Sequence, residues 1–197
     1  MRLGIMGGTF DPIHTGHLAI ARTAFVEARL DEVLFLPDGD PPHKEPGAKG
    51  AQRLNMVRLA VEGQRGFTVS DMELVRHGTT YTVDTLTQLM QEEPDRELFY
   101  IIGADTLRLF PTWKPAWKVA SLCSMLVAPR PGIDLDELRW FQRKLFADFG
   151  LVSQLLSQGG PDISSTRIRE LVRAGEPIDA LVPAAVARYI KENALYT

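Results

Sequence analysis

Short apolar runs alternate along this chain with segments of helical period, and that alternation limits the fold more than any other feature of its 197 residues. Leu3 to Met6, Val33 to Leu36, Phe67 to Val69, Leu98 to Ile102 and Met125 to Ala128 are too short for helices and apolar at consecutive positions, the pattern of strands buried on both faces. Between them, Leu18, Ala21, Phe25 and Ala28 share one helical face, as do Leu54, Val57 and Val61, then Val83, Leu86 and Met90, and later Ile168, Leu171 and Val172. Repeated strand-helix units predict an α/β fold with a doubly wound parallel sheet, forming a single domain over residues 1–197 with a small helical part at its C-terminal end. Asp134 to Phe149 reads as a surface helix and Pro183 to Asn193 as a closing one. Asp38 to Gly50, DGDPPHKEPGAKG, breaks both helix and strand and is a loop. In open sheets of this kind ligands sit beyond the carboxyl ends of the strands, where the loops that open the helices gather.

Composition removes several functions. A formal net charge of -3 gives no electrostatic reason to expect nucleic acid or an anionic membrane as partner, so any basic site is local. The one cysteine, Cys123, excludes an internal disulfide framework and a cysteine metal cluster and reads as a small buried residue. MRLGIMGGTFDP lacks the layout of a signal peptide, and no apolar run is long enough to span a bilayer. These features predict a cytoplasmic, unanchored protein.

Directly after the first strand comes Gly7-Gly8-Thr9-Phe10-Asp11-Pro12-Ile13-His14-Thr15-Gly16-His17, leading into a helix. Glycines at a strand-to-helix junction let the backbone approach a ligand closely, and unpaired amides at a helix start attract anions. The spacing fits neither the dinucleotide-binding nor the P-loop pattern. His14 and His17, three residues apart, can face one side and each donate to a phosphate oxygen, more strongly when protonated. Near the other end, Asp162-Ile163-Ser164-Ser165-Thr166-Arg167-Ile168-Arg169 opens another helix. Simple N-capping accounts for Ser164 or Ser165, whereas hydroxyls, free amides and an arginine one turn in also make a triphosphate clamp.

GGTFDPIHTGH resembles the signature of the bacterial nicotinate-nucleotide adenylyltransferases, within the broader HxGH nucleotidyltransferase superfamily. Phosphopantetheine adenylyltransferases usually carry Thr where this chain has His14. The resemblance continues in the ISSTxIR-like segment, in a PPHK loop ending at Lys44, in Thr79 to Leu86 (SYTxDTL), in Gly103-Ala104-Asp105 (GxD) and in Pro111-Thr112-Trp113 (PTW), and so spans almost the entire chain. It implies a Rossmann-like fold and adenylyl transfer from ATP to nicotinate mononucleotide, giving deamido-NAD and pyrophosphate. Carried residue by residue, it implies that His14, His17, Lys44 and Arg169 are catalytic. It places ATP at Gly7, Gly8, Thr9, Phe10, Gly103, Asp105, Ser164, Ser165 and Thr166. It places nicotinate mononucleotide at Asp38, Tyr81, Thr82 and Trp113, with Trp113 stacked on the pyridine ring. One departure is Asp38, followed by Asp40, where many relatives have a small or amide side chain; a carboxylate near the pyridine carboxylate is repulsive unless it points away.

No dense carboxylate cluster suggests a preformed metal cage, so Mg²⁺ is expected on the phosphates of ATP. The expected partners are ATP and nicotinate mononucleotide, with no nucleic acid and no membrane, and a homo-oligomer is compatible with the sequence. Arg96 and Arg108 are the arginines of the Thr79 to Trp113 region able to pair with the nicotinate carboxylate; otherwise backbone amides near Tyr81 and Thr82 must read it. Two other readings stand beside this one: an adenylyltransferase for nicotinamide mononucleotide or another phosphate acceptor, and a nucleotide-sensing module without turnover.

Overall fold

The computed structural model describes residues 1–39, 47–76 and 78–197. Its elements run β1 (Arg2–Gly8), α1 (Thr15–Glu27), β2 (Glu32–Pro37), α2 (Gly50–Val61), β3 (Phe67–Val69), α3 (Thr82–Glu92), β4 (Glu97–Gly103), α4 (Ala104–Leu109), α5 (Ala116–Leu122), β5 (Cys123–Ala128), α6 (Leu135–Phe149), β6 (Ser153–Leu155), α7 (Ser165–Arg173) and α8 (Ala184–Glu192), with a 3-10 turn at Phe110–Thr112. The described strands form a parallel six-stranded sheet in the order β3-β2-β1-β4-β5-β6, flanked by helices, which is the doubly wound, Rossmann-like α/β fold predicted. The order reverses at β1, from which the chain first builds outward to β3 and then crosses back to β4. All five predicted strands are present. β6 was not predicted: it has polar residues at two of its three positions, and as an edge strand it needs no continuous apolar run.

The chain's contacts gather into two interleaved compact units, the first made of Met1–Met6, Ile20–Val33 and Tyr81–Gly159, the second of Gly7–Ala19, Leu34–Thr80 and Gly160–Thr197. In the first, β4 and β5 run in register from Leu98↔Cys123 to Gly103↔Ala128, and Leu98, Ile101, Met125, Leu126 and Val127 are buried. Gly4, in β1, faces Leu30: a Cβ there would lie 2.6 Å from Leu30 Cδ1, so a larger residue would force the Leu30 side chain to move. α6 starts where predicted because the Asp134 carboxylate accepts from the N–H groups of Asp136 and Glu137, and it stops at Gly150, which is left-handed at φ 73°. α3 buries Thr85, Leu86 and Leu89 rather than the predicted Val83, Leu86 and Met90. It carries more apolar residues than one face needs, and its packing against α5 selects among them. Cys123 is buried, as expected.

In the second unit Phe35 of β2 packs against Phe67 of β3 and against Phe10, with ring centroids 5.3 and 6.0 Å apart. α2 packs against α8 and buries Met56, Val57, Ala60 and, unusually, Arg53. α7 begins at Ser164, whose hydroxyl accepts from Arg167 N–H, and buries Ile168. No helix among the described residues is long and apolar enough to cross a membrane.

Candidate active site

β1 delivers Gly7 and Gly8, and the chain then turns through Phe10, a non-glycine residue in the left-handed region at φ 48°. The turn is held by burial of the Phe10 ring, 3% exposed, whose centroid lies 5.1 Å from that of His17 in an edge contact. The buried Phe10 ring therefore packs against His17 at this turn. The His14 and His17 rings are stacked, centroids 3.6 Å apart and planes 22° from parallel. His14 N–H donates to His17 Nδ1 at 3.2 Å, so a neutral His17 carries its proton on Nε2. Burial lowers the pKa of His14 to about 4, and burial together with the neighbouring His14 pushes His17 well below its ordinary value. Both rings are therefore held uncharged at neutral pH, which leaves the stronger donation expected of protonated histidines without its proton.

Gly16 is what lets the two rings stack. A Cβ there would lie 2.9 Å from His14 Nδ1 and 3.3 Å from the Pro161 carbonyl. Gly160 answers it, since a Cβ on Gly160 would lie 2.5 Å from the Gly16 carbonyl oxygen. The start of α1 and the segment leading into α7 thus approach backbone to backbone.

α7 is tied to the same turn by side chains. Ser165 Oγ donates to the Pro12 carbonyl at 2.9 Å, and Arg169 Nη1 donates to the Asp11 carbonyl at 2.7 Å. Thr166 is exposed, and its Oγ1 accepts a long bond of 3.4 Å from Arg169 Nη2. The structure therefore brings the turn that carries His14 and His17 together with Ser165, Thr166 and Arg169 at the start of α7, from segments some 150 positions apart in the chain. Asp38 closes another side. Its carboxylate Oδ2 accepts from Thr9 Oγ1 at 3.1 Å, and its N–H donates to the Gly8 carbonyl at 2.9 Å, so the acid is turned onto the glycine-rich segment.

In the first unit, Tyr81 is the exposed N-cap of α3 and Thr82 its first residue; Asp84 and Thr85 N–H groups both donate to the Tyr81 carbonyl. Gly103 precedes α4, and the exposed Asp105 carboxylate pairs with Arg130 Nε at 3.0 Å. Trp113 is half-buried, with Tyr100 and Phe110 ring centroids 5.7 and 5.6 Å away. Arg96 and Arg108 are paired with Glu93 and Glu137. A cleft of about 550 Å³ lies at the carboxyl ends of β5 and β6, between Arg130, Arg139, Gln142 and Ser157. Lys44 and the rest of the PPHK loop lie outside the described residues.

The model of the cytidylyltransferase-like family matches residues 5–171. A probable nicotinate-nucleotide adenylyltransferase of Synechococcus sp. is 44% identical over 197 residues, covering 99% of this chain and 94% of the relative. One from Dehalococcoides mccartyi is 43% identical over 204 residues, covering 100% and 97%. The chain belongs to the nicotinate-nucleotide adenylyltransferase family. Among solved structures, Plasmodium falciparum nicotinic acid mononucleotide adenylyltransferase complexed with NaAD superposes with a TM-score of 0.81 at 19% identity, covering 99% of this chain and 97% of that one, and so has the same fold.

For a nicotinate-nucleotide adenylyltransferase, the residues that sequence reasoning missed are those that hold the motifs in place. Arg53 is 1% exposed and donates to the carbonyls of Thr9, Asp38 and Gly39. Asp11, 5% exposed, accepts from Gly47 N–H, Ala48 N–H and Tyr196 Oη. Nothing in the spacing of RLNMVRLA separates Arg53 from its exposed neighbour Arg58, because burial of one arginine depends on carbonyls supplied by other segments.

Proposed function

We propose that the protein joins the adenylyl group of ATP to the 5′-phosphate of nicotinate mononucleotide, forming deamido-NAD and releasing pyrophosphate, as one step in the biosynthesis of NAD, and that residues 1–197 act as one nucleotidyltransferase domain. The observation that carries this reading is the direct bonding of α7 to the histidine turn, Ser165 to Pro12 and Arg169 to Asp11. It makes one anion site from neutral N–H donors, hydroxyls, helix amides and a single guanidinium.

The acceptor phosphate is largely a dianion near pH 7, so no general base is needed. One of its oxygens attacks the α-phosphorus of ATP in line as the bond from that phosphorus to the α,β-bridging oxygen breaks, and pyrophosphate carries the electron pair away. Catalysis then reduces to alignment and to stabilising charge on the transferred and leaving groups. Neutral imidazoles suit this task, because Nε2–H of His17 donates without first being protonated. Gly7, Gly8, Thr9 and the Phe10 backbone line the approach, Ser164, Ser165, Thr166 and Arg169 hold the ATP phosphates, Lys44 adds charge to them, and Gly103 and Asp105 take the nucleoside. The donor set around the histidines fits phosphate oxygens rather than a cation, so Mg²⁺ would be held by the phosphates of ATP and would supply charge neutralisation there.

Tyr81, Thr82 and Trp113 are assigned to the pyridine nucleotide. Arg96 and Arg108 being paired with carboxylates supports recognition of the nicotinate carboxylate by the amides that open α3. Asp38 accepts from Thr9 Oγ1, which supports a reading in which the acid is turned onto the glycine-rich segment rather than toward the nicotinate carboxylate. The test is pyrophosphate release on mixing with ATP, Mg²⁺ and, in turn, nicotinate mononucleotide, nicotinamide mononucleotide and phosphopantetheine. The first should be used far better than the others. A preference for the amide would overturn the acceptor assignment, and release with none of them would overturn adenylyl transfer.

A further inference from the structure

The segment that follows α8 has an unusual backbone. Ala194 and Tyr196 both lie in the left-handed region, at φ 46° and 67°. Such values in non-glycine residues persist only where surroundings hold them. Ala194 N–H donates to the Lys191 carbonyl and Leu195 N–H to the Ile190 carbonyl, so the helix terminates in a Schellman turn with alanine at its left-handed position. That turn sends Tyr196 back into the second unit, where it is 7% exposed. Its hydroxyl donates to Asp11 Oδ1 at 2.7 Å. The same oxygen accepts from Ala48 N–H at 3.0 Å, and Oδ2 accepts from Gly47 N–H at 2.7 Å. With three donors the carboxylate has one orientation, and in it Oδ2 lies 3.7 Å from Arg169 Nη1, whose hydrogen bond goes to the carbonyl of Asp11 itself.

We propose that Tyr196 is a positioning residue for ATP: through Asp11 it fixes the guanidinium of Arg169 at the start of α7. This rests on the assignment of Arg169 to the ATP phosphates made above. The packing supports it, since a Cβ on Gly47 would lie 3.1 Å from the Tyr196 ring and 3.4 Å from Arg169 Cδ, so both side chains close on the same small space and an added methyl would press on the tyrosine ring. A guanidinium free to rotate would bind phosphate less tightly, because ordering it then accompanies binding.

The test uses the full chain and titrates Mg²⁺-ATP, then nicotinate mononucleotide, by calorimetry. Tyr196→Phe keeps the ring and removes one hydroxyl. It should raise the Kd for ATP about 3- to 10-fold, a fraction of the more than tenfold a directly lost bond to a charged group is worth, because the hydroxyl reaches ATP only through Asp11 and Arg169, while the Kd for nicotinate mononucleotide changes less than twofold. In the Arg169→Ala background the same substitution should add nothing further. Gly47→Ala, which crowds both side chains and keeps the hydroxyl, should weaken ATP in the same selective way. An ATP affinity within twofold of wild type in Tyr196→Phe or in Gly47→Ala, equal weakening of both substrates, or full additivity with Arg169→Ala would overturn the proposal. Failure of the wild-type chain to bind ATP would instead overturn the functional reading on which it rests.

Discussion

Arg53 and His17 are both enclosed by protein, and they are used in opposite ways. Arg53 keeps its charge, since guanidinium does not deprotonate, and its donors satisfy the carbonyls of Thr9, Asp38 and Gly39, joining the turn after β1 to the turn after β2. Arg53→Met fills similar volume but leaves those carbonyls without their donor. It should cost on the order of 3 kcal/mol in chemical denaturation and also lower turnover, by releasing Thr9 and Asp38. A variant as stable as wild type would show that the carbonyls find other partners. His17 loses its charge and keeps a directed Nε2–H. If that donor stabilises the transition state, His17→Ala should reduce kcat more than tenfold, at least ~1.4 kcal/mol, with the melting temperature little changed. Unchanged kcat with a lowered melting temperature would make the stacked pair a packing device.

Three helices end in the same bonding pattern, and only one of them advertises it. α7 closes with Gly175 at φ 71°, its N–H donating to the Val172 carbonyl and that of Glu176 to Leu171, the usual glycine solution. α1 closes identically with Arg29 at φ 47°, and α8 with Ala194 at φ 46°. In the α8 turn Leu195 and Ile190 are both buried and joined by the bond from Leu195 N–H to the Ile190 carbonyl, and burial at this position offsets the cost of a side chain in the left-handed region. Ala194→Gly should therefore stabilise the protein by about 0.5–1 kcal/mol, the left-handed cost of alanine less the extra chain entropy of glycine. Thermal unfolding checks this, with a rise of roughly 1–4 °C expected for a chain of this size. A fall would mean that the Ala194 methyl makes contacts worth more than the strain.

Across the whole molecule the two lowered histidine pKa values set a pH dependence of stability. A histidine whose folded pKa lies below its ordinary 6.5 binds fewer protons folded than unfolded between the two values, so its contribution is complete above about 6.5 and is lost as pH falls toward about 4. The denaturation midpoint should decline between pH 7 and pH 5, and His14→Asn should flatten that decline; an equally steep profile in the variant would assign it to other groups.

The strand-helix alternation was legible from β1 to β5 because buried parallel strands need unbroken apolar runs and their covering helices need one apolar stripe, both of which are local in sequence, whereas the edge strand β6 carries no such run. The two candidate phosphate-handling motifs stood out for a related reason: Gly16, His14 and His17 lie within one short stretch and the Ser164 cap acts within another, each local in sequence. What only tertiary structure decided is which charges are buried and what holds them. Arg53, Asp11 and Tyr196 have partners 14 to 185 positions away, and the neutrality of the histidines depends on packing from the whole unit around them. A local pattern can specify a helix face or a turn, but the electrostatic cost of enclosing a charge is set by groups that arrive from elsewhere in the chain.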